Sequence, residues 1–181
     1  PADKLQLTQN TQPAILTVSV SIFKVLKNDF NFDFNSFKFF AGHSLGEYSA
    51  LVCSNSINFK DALYLLHERG KAMQKAVPVG DGGMIAVLGT KISEINDLLK
   101  SHNQNSGVCE IANDNAEGQV ILSGDKKSIN SFIALLKEKK IKSIPLKVSA
   151  PFHCSLMKSA ADIMKNKINN TEFKDPSTKI I

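Results

Sequence analysis

Five consecutive residues, Gly42-His43-Ser44-Leu45-Gly46, constrain the fold of this 181-residue chain more than any other stretch. They follow an apolar run, Phe37-Lys-Phe-Phe-Ala41, that reads as a short buried strand, and they precede Glu47 to Ser54, which reads as a helix. A strand that passes through a glycine-flanked serine straight into a helix must bend sharply, and glycine tolerates the backbone angles and close approaches of such a bend. The bend lifts the serine hydroxyl clear of the sheet. It also aims the next backbone N–H, that of Leu45, at a helix N-terminus where an oxyanion can be stabilised. The pentapeptide therefore predicts an α/β layer carrying Ser44 as nucleophile; the bland alternative is a glycine-rich turn.

The second constraint is a single arginine. Of 22 basic residues 21 are lysine, so Arg69 stands where the default cation was not used. A planar guanidinium offers a two-pronged donor that an ammonium cannot imitate. Residues 60–77 form the clearest amphipathic helix, with Ala62, Leu65, Leu66, Met73 and Ala76 on one stripe, and Arg69 falls on that stripe. A charge aimed inward requires a partner, because an unpaired buried charge is very costly. An internal Asp or Glu satisfies that demand as well as a bound anion does.

A serine nucleophile also needs a base, and there are four histidines. His67 lies in the helix just described, His102 in a polar Ser-His-Asn-Gln loop, and His43 beside the serine, where a sharp turn directs its side chain elsewhere. His153, on a loop opened by Pro151 and followed by a helix, is the best placed to act as general base, with a purely structural histidine as the alternative.

Elsewhere, residues 13–27 read as a helix with Pro13 in its first turn, despite the strand-like alternation of Val18, Val20 and Ile22. Pro78-Val-Gly-Asp-Gly-Gly83 breaks the chain. Beyond it come a strand (84–88), a helix (92–100), strands at 108–112 and 119–123 around an Asn-Asp-Asn-Ala-Glu-Gly turn, a helix (128–139) and a strand (143–148). That β-α-β-β-α-β order is the ferredoxin-like split unit. The expected division is therefore a small ferredoxin-like subdomain, residues 83–148, inserted into the α/β layer of residues 1–82 and 149–181. A helix from about Ser155 to Ile168 and a strand at Lys179–Ile181 close the chain.

Composition bounds the rest. The net charge of +5 could suit an anionic partner, but the lysines form no Arg-rich, aromatic-interleaved patch of the kind nucleic-acid readers use. No apolar run is long enough to span a membrane, and the first residues lack the features of a signal peptide. The three cysteines, Cys53, Cys109 and Cys154, are too few and too scattered for a disulfide framework or a metal site, and they fit a reducing compartment.

Four segments, Thr11-Gln-Pro-Ala14, Gly42-His-Ser-Leu-Gly-Glu-Tyr-Ser-Ala50, Glu68-Arg-Gly-Lys-Ala-Met-Gln74 and Ser149-Ala-Pro-Phe-His-Cys-Ser-Leu-Met157, together resemble the malonyl-CoA:acyl carrier protein transacylases of fatty-acid synthesis. They are similar also to the acyltransferase domains of polyketide synthases. The resemblance runs from end to end with the motifs in order. It implies a hydrolase-like α/β layer with a ferredoxin-like insertion, working in the cytoplasm or an organelle matrix without a bound cofactor or metal. It further implies ping-pong transfer of a malonyl group from malonyl-CoA, through a malonyl ester of Ser44, to the phosphopantetheine thiol of acyl carrier protein. In that scheme His153 is the base and Arg69 grips the free carboxylate. Leu45, His43 and Phe152 take substrate-contacting positions, and Asn115 and Gln119 match a cleft-lining segment, with turn capping and strand pairing as their alternative roles.

The resemblance is incomplete at the ends. The family's first strand, its Gly-Gln-Gly-Ser-Gln loop and its C-terminal segment find no counterpart, so poor turnover by these residues alone is expected. Two other readings compete. A serine hydrolase would need an acidic partner such as Asp114 or Asp125 and gives Arg69 no task; a non-catalytic carrier-protein-binding module would need no nucleophile.

Overall fold

The computed structural model describes residues 2–102 and 107–181, in two compact units. One comprises residues up to Lys71 together with Ile163–Ile181, the other Ala72–Asp162. Elements of both types are interleaved along the chain, and the class is α/β.

The first unit opens with α1 (Ala2–Leu5) and the long α2 (Thr8–Asn28). Pro13 was expected in the first turn of the latter but lies inside it. The start is earlier because side chains hook the first turn back onto the preceding residues: Asn10 donates to the Lys4 carbonyl at 2.8 Å and Thr11 to that of Leu7 at 3.1 Å. An interior proline leaves the carbonyl four residues back without its helical N–H. Here that carbonyl belongs to Gln9, and His67 takes it up through Nδ1 at 3.0 Å. A carbonyl only accepts, so His67 carries its proton on Nδ1, and its task is structural.

Thr8, Gln12, Leu16 and Val20 make a buried stripe at four-residue spacing along α2, polar at its beginning and apolar further on. The apolar part packs with Ile57 and with Ala62, Leu65 and Leu66 of α4 (Phe59–Ala76), and Met164 of α7 (Lys158–Asn169) completes the cluster. Between α2 and α4 come β1 (Phe39–Phe40) and α3 (Gly46–Cys53). The strand expected at Phe37–Ala41 is thus shorter, and it is not buried: Phe39 is 49% exposed. Among the described residues it pairs only with β6 (Lys179–Ile180), in parallel, so little of its face is covered. Four hydrogen bonds bring β6 to it, two of them backbone: Lys174 and Ser177 donate to the carbonyls of Ser56 and Ser54 at 2.8 and 2.7 Å. The hydroxyls of Ser56 and Ser177 add reciprocal bonds at 2.7 and 2.9 Å.

The second unit holds a four-stranded antiparallel sheet in the order β3-β4-β2-β5, formed by β2 (Gly82–Leu88), β3 (Cys109–Ala116), β4 (Gln119–Asp125) and β5 (Lys142–Pro145). Helices α5 (Ile92–His102) and α6 (Lys126–Glu138) supply Ile95, Leu99, Phe132 and Leu136 to a core shared with Ile85, Val87, Val120 and Leu122. Alternate residues Met84, Ala86 and Ile121 face the other side, where Leu146 and Phe152 cover them. Three boundaries differ from expectation. The Asn-Asp-Asn stretch belongs to β3, which absorbs two bulges, between Ile111 and Asn113 and between Asp114 and Ala116, and so reaches Ala116. The turn shrinks to Glu117-Gly118. The last strand ends at Pro145, which a sheet accepts at its edge. His102 closes α5 rather than lying in a loop; the Asn103-Gln104 part of that expected loop falls outside the described residues.

Candidate active site

The elbow forms as the glycine spacing requires. Ser44 has φ +54°, the left-handed region that residues with a Cβ rarely enter. The turn closes through Gly46 N–H to His43 O at 2.9 Å, Glu47 N–H to Ser44 O at 3.2 Å and Tyr48 N–H to Leu45 O at 3.1 Å, none of which uses the Leu45 N–H. Gly42 makes this possible, because a Cβ there would stand 2.0 Å from the carbonyl carbon and oxygen of Gly46.

The Arg69 side chain reaches this turn. Its Nη2 donates to Ser44 Oγ at 3.1 Å, and its Nη1 donates to Gln12 Oε1 at 2.6 Å. Gln12 is 3% exposed and is oriented by a second bond, Nε2 to Thr8 Oγ1 at 2.9 Å. The polar beginning of the α2 stripe thus serves the guanidinium. Gly70 allows it: a Cβ on Gly70 would meet the Gln9 Cα at 2.3 Å, so only glycine lets α4 come this close to α2. Gln12 stood in one of the sequence motifs but carried no role there; its burial at the polar end of a helical stripe was the available signal.

No carboxylate lies within salt-bridge distance of Arg69 among the described residues. Among the described residues, the internal ion pair that competed as an explanation is not found. Burial pushes the guanidinium pKa down, and Tyr48 and Glu47 work against that shift. Tyr48 is in turn pushed up, chiefly by burial. One position before the arginine, Glu68 faces elsewhere and binds Lys167 and Lys71, each at 2.9 Å, which tie it to α7 and to the next turn. Hydrogen bonds from those two ammonium groups hold its carboxyl down at about 2.

The other expected residues are placed as follows. His43 is exposed beside Ser44, and Leu45 packs on the core cluster of the first unit. His153 lies in the second unit, exposed, with φ +59°. Phe152 packs on two apolar clusters of that unit. Asn115 sits at the second bulge of β3, and Gln119 begins β4 opposite Ala116 and Leu88; both are exposed. Of the acids a hydrolase would need, Asp125 is committed to capping α6, accepting from the Ser128 N–H and hydroxyl at 2.8 Å each and from Val108 N–H at 2.6 Å. Asp114 lies exposed on β3. Among the described residues no group of three or more His, Cys, Asp or Glu side chains could hold a metal ion.

The geometry sets a serine on an elbow beside a half-buried arginine that meets no carboxylate among the described residues. Comparison with known proteins decides the relationship: the model of the family described as acyl transferase domain matches residues 1–181. The chain belongs to that family. A curated relative, the malonyl CoA-acyl carrier protein transacylase of Bacillus subtilis, is 40% identical over 182 residues, covering 99% of this chain and 56% of the relative. Among solved structures, FabD from Acinetobacter baumannii superposes with a TM-score of 0.93 at 41% identity, covering 99% of this chain and 57% of that one. The malonyl-transacylase PlMCAT, solved in complex with the type II PKS acyl-carrier protein AntF, has a TM-score of 0.93 at 38% identity, covering all of this chain and 58% of that one. The acyl transferase chain therefore spans somewhat over half the length of these relatives.

Proposed function

We propose that this acyl transferase chain carries the acyl-transfer residues of a malonyl-CoA:acyl carrier protein transacylase of fatty-acid synthesis, a cytoplasmic enzyme that needs no cofactor. The observation that supports this best is Arg69, whose guanidinium meets Ser44 and Gln12 but no carboxylate among the described residues. An arginine fork pairs with a carboxylate through two charge-assisted bonds, which are roughly twice as strong as neutral ones. A malonyl thioester brings such a carboxylate; an acetyl thioester does not, and it would leave the cation unpaired.

In the proposed reaction the Ser44 hydroxyl gives its proton to His153 while Oγ attacks the thioester carbon of malonyl-CoA. The carbon–sulfur bond breaks, the Leu45 N–H helps hold the developing oxyanion, and CoA departs as a thiol with the proton from His153. The phosphopantetheine thiol of acyl carrier protein then repeats these steps in reverse and frees Ser44. His153 takes its part by its place in the Ser149–Met157 motif, and Leu45, His43, Phe152, Asn115 and Gln119 are proposed to contact substrate. The relatives' names and the carrier-protein complex of PlMCAT support both substrates. We read residues 83–148 as a ferredoxin-like subdomain within a hydrolase-like α/β part made of 1–82 and 149–181, and the β3-β4-β2-β5 order supports that division.

Intact-mass measurement after incubation with malonyl-CoA or acetyl-CoA tests the proposal. A malonyl adduct is expected that is absent in Ser44→Ala, weakened in Arg69→Ala and not matched by acetyl-CoA. An adduct that persists in Ser44→Ala refutes it.

A further inference from the structure

We propose that Glu110 is a positioning residue for His153, a carboxylate clamp on the loop that carries it; this rests on the reading of His153 as the base. His153 holds φ +59° on a loop outside helix and strand. A residue with a Cβ stays in that region only when its surroundings over-determine it. Upstream, the loop is fastened twice. Gln74 Nε2 donates to the Ser149 carbonyl at 3.1 Å, and Pro151 lies against Gly82, where a Cβ would come within 2.4 Å of the proline ring.

Downstream, the chain enters a 3-10 turn, Ser155–Met157, that leads into α7. The residue before that turn, Cys154, provides no side-chain cap; its thiol is turned back to the Pro151 carbonyl at 3.2 Å. The first helical N–H groups have no intrahelical acceptor and need one from outside. Glu110, from β3, provides it. Its Oε2 accepts the Ser155 N–H and its Oε1 accepts the Ser155 hydroxyl, each at 2.7 Å. A carboxylate also complements the positive end of a helix. The clamp closes two residues after His153, so together with the buried Met157 it sets the far end of the segment whose near end Gln74 and Pro151 hold. All of these residues belong to one unit.

The experiment compares Glu110→Ala, Glu110→Gln, Ser155→Ala and His153→Ala in the intact protein, reading kcat and KM for malonyl-CoA. Glu110→Ala is expected to lower kcat on the order of 10- to 100-fold, the scale of a misplaced catalytic group. KM should move by less than about two-fold, because the carboxylate grip is elsewhere. Glu110→Gln restores most of the rate, since its amide oxygen still accepts the Ser155 N–H. Should Glu110→Ala not fold, Ser155→Ala decides, with a fall in kcat at constant KM expected and an unchanged kcat overturning the clamp. A Glu110→Gln variant as impaired as Glu110→Ala, or a Glu110→Ala variant with unaltered kcat, also overturns it. The His153→Ala variant separates the two ideas: if it stays active the base assignment itself fails, whereas its loss beside a fully active Glu110→Ala removes only the clamp.

Discussion

The two glycines of the elbow should respond to alanine in opposite ways. In sequence they are symmetrical about Ser44, but a Cβ on Gly42 would meet the Gly46 carbonyl carbon and oxygen at 2.0 Å and the Glu47 nitrogen at 2.4 Å, while a Cβ on Gly46 meets nothing within 4 Å. The atoms in the way are backbone, so no rotamer change relieves Gly42→Ala; the first turn of α3 must retreat by about an ångström or more, and Ser44 with it. Overpacking typically costs about 1–3 kcal/mol, and a backbone obstruction belongs at the upper end. At this chain length about 3 kcal/mol corresponds to a fall in Tm of about 6–12 °C. On the proposed role of Ser44, its displacement by that distance should also slow acylation by about 100-fold. Gly46→Ala, at the first position of a helix and with φ outside the left-handed region, should instead stabilise by up to about 1 kcal/mol. Thermal or chemical denaturation of the two variants, together with the rate of malonyl adduct formation, tests the pair. Gly46→Ala being as destabilised as Gly42→Ala, or Gly42→Ala being tolerated, would refute the steric account.

Three further outcomes are expected. Arg69→Lys keeps the charge but loses the fork, so malonyl transfer should fall about 10- to 100-fold in kcat/KM, with a smaller change for acetyl-CoA, read by steady-state kinetics on both donors. Glu68, held at about 2 in the folded chain against an ordinary value of 4.5, contributes stability that is fully present above about pH 4.5 and is lost as pH falls toward 2. Glu68→Gln should therefore destabilise by no more than about 1 kcal/mol at neutral pH, and the difference in denaturation midpoint should close below that window. Burial pushes the Cys109 thiol up to about 12, so mass spectrometry should show it resisting iodoacetamide at pH 8 in the folded protein and reacting on unfolding.

Much of the fold was legible in the residues because the signals are local. The stripe of Ala62, Leu65 and Leu66 marks α4 whatever it packs against, and the alternation and turn residues beyond Gly83 specify the order of four strands and two helices. The backbone of the elbow was equally local, since Gly-His-Ser-Leu-Gly restricts its own conformation. An inward arginine could likewise be read from its helical position.

What only the tertiary structure decided are the features that depend on a partner distant in sequence. Pro13 sits inside α2 because His67, 54 positions on in the chain, satisfies the carbonyl that the proline leaves open. The bulges that extend β3 depend on pairing with β4, and the shortness of β1 follows from what pairs with it. Whether Arg69 met an acid or the neutral groups of Ser44 and Gln12 turned on which side chains its helix faced, and Gly70 let α2 close in with Gln12. Glu110 and Ser155 lie 45 residues apart and acquire meaning only where a sheet edge meets a loop. Periodicity constrains what a segment becomes, but no local pattern encodes which distant group completes its hydrogen bonds, and in this chain those distant groups shape the candidate site.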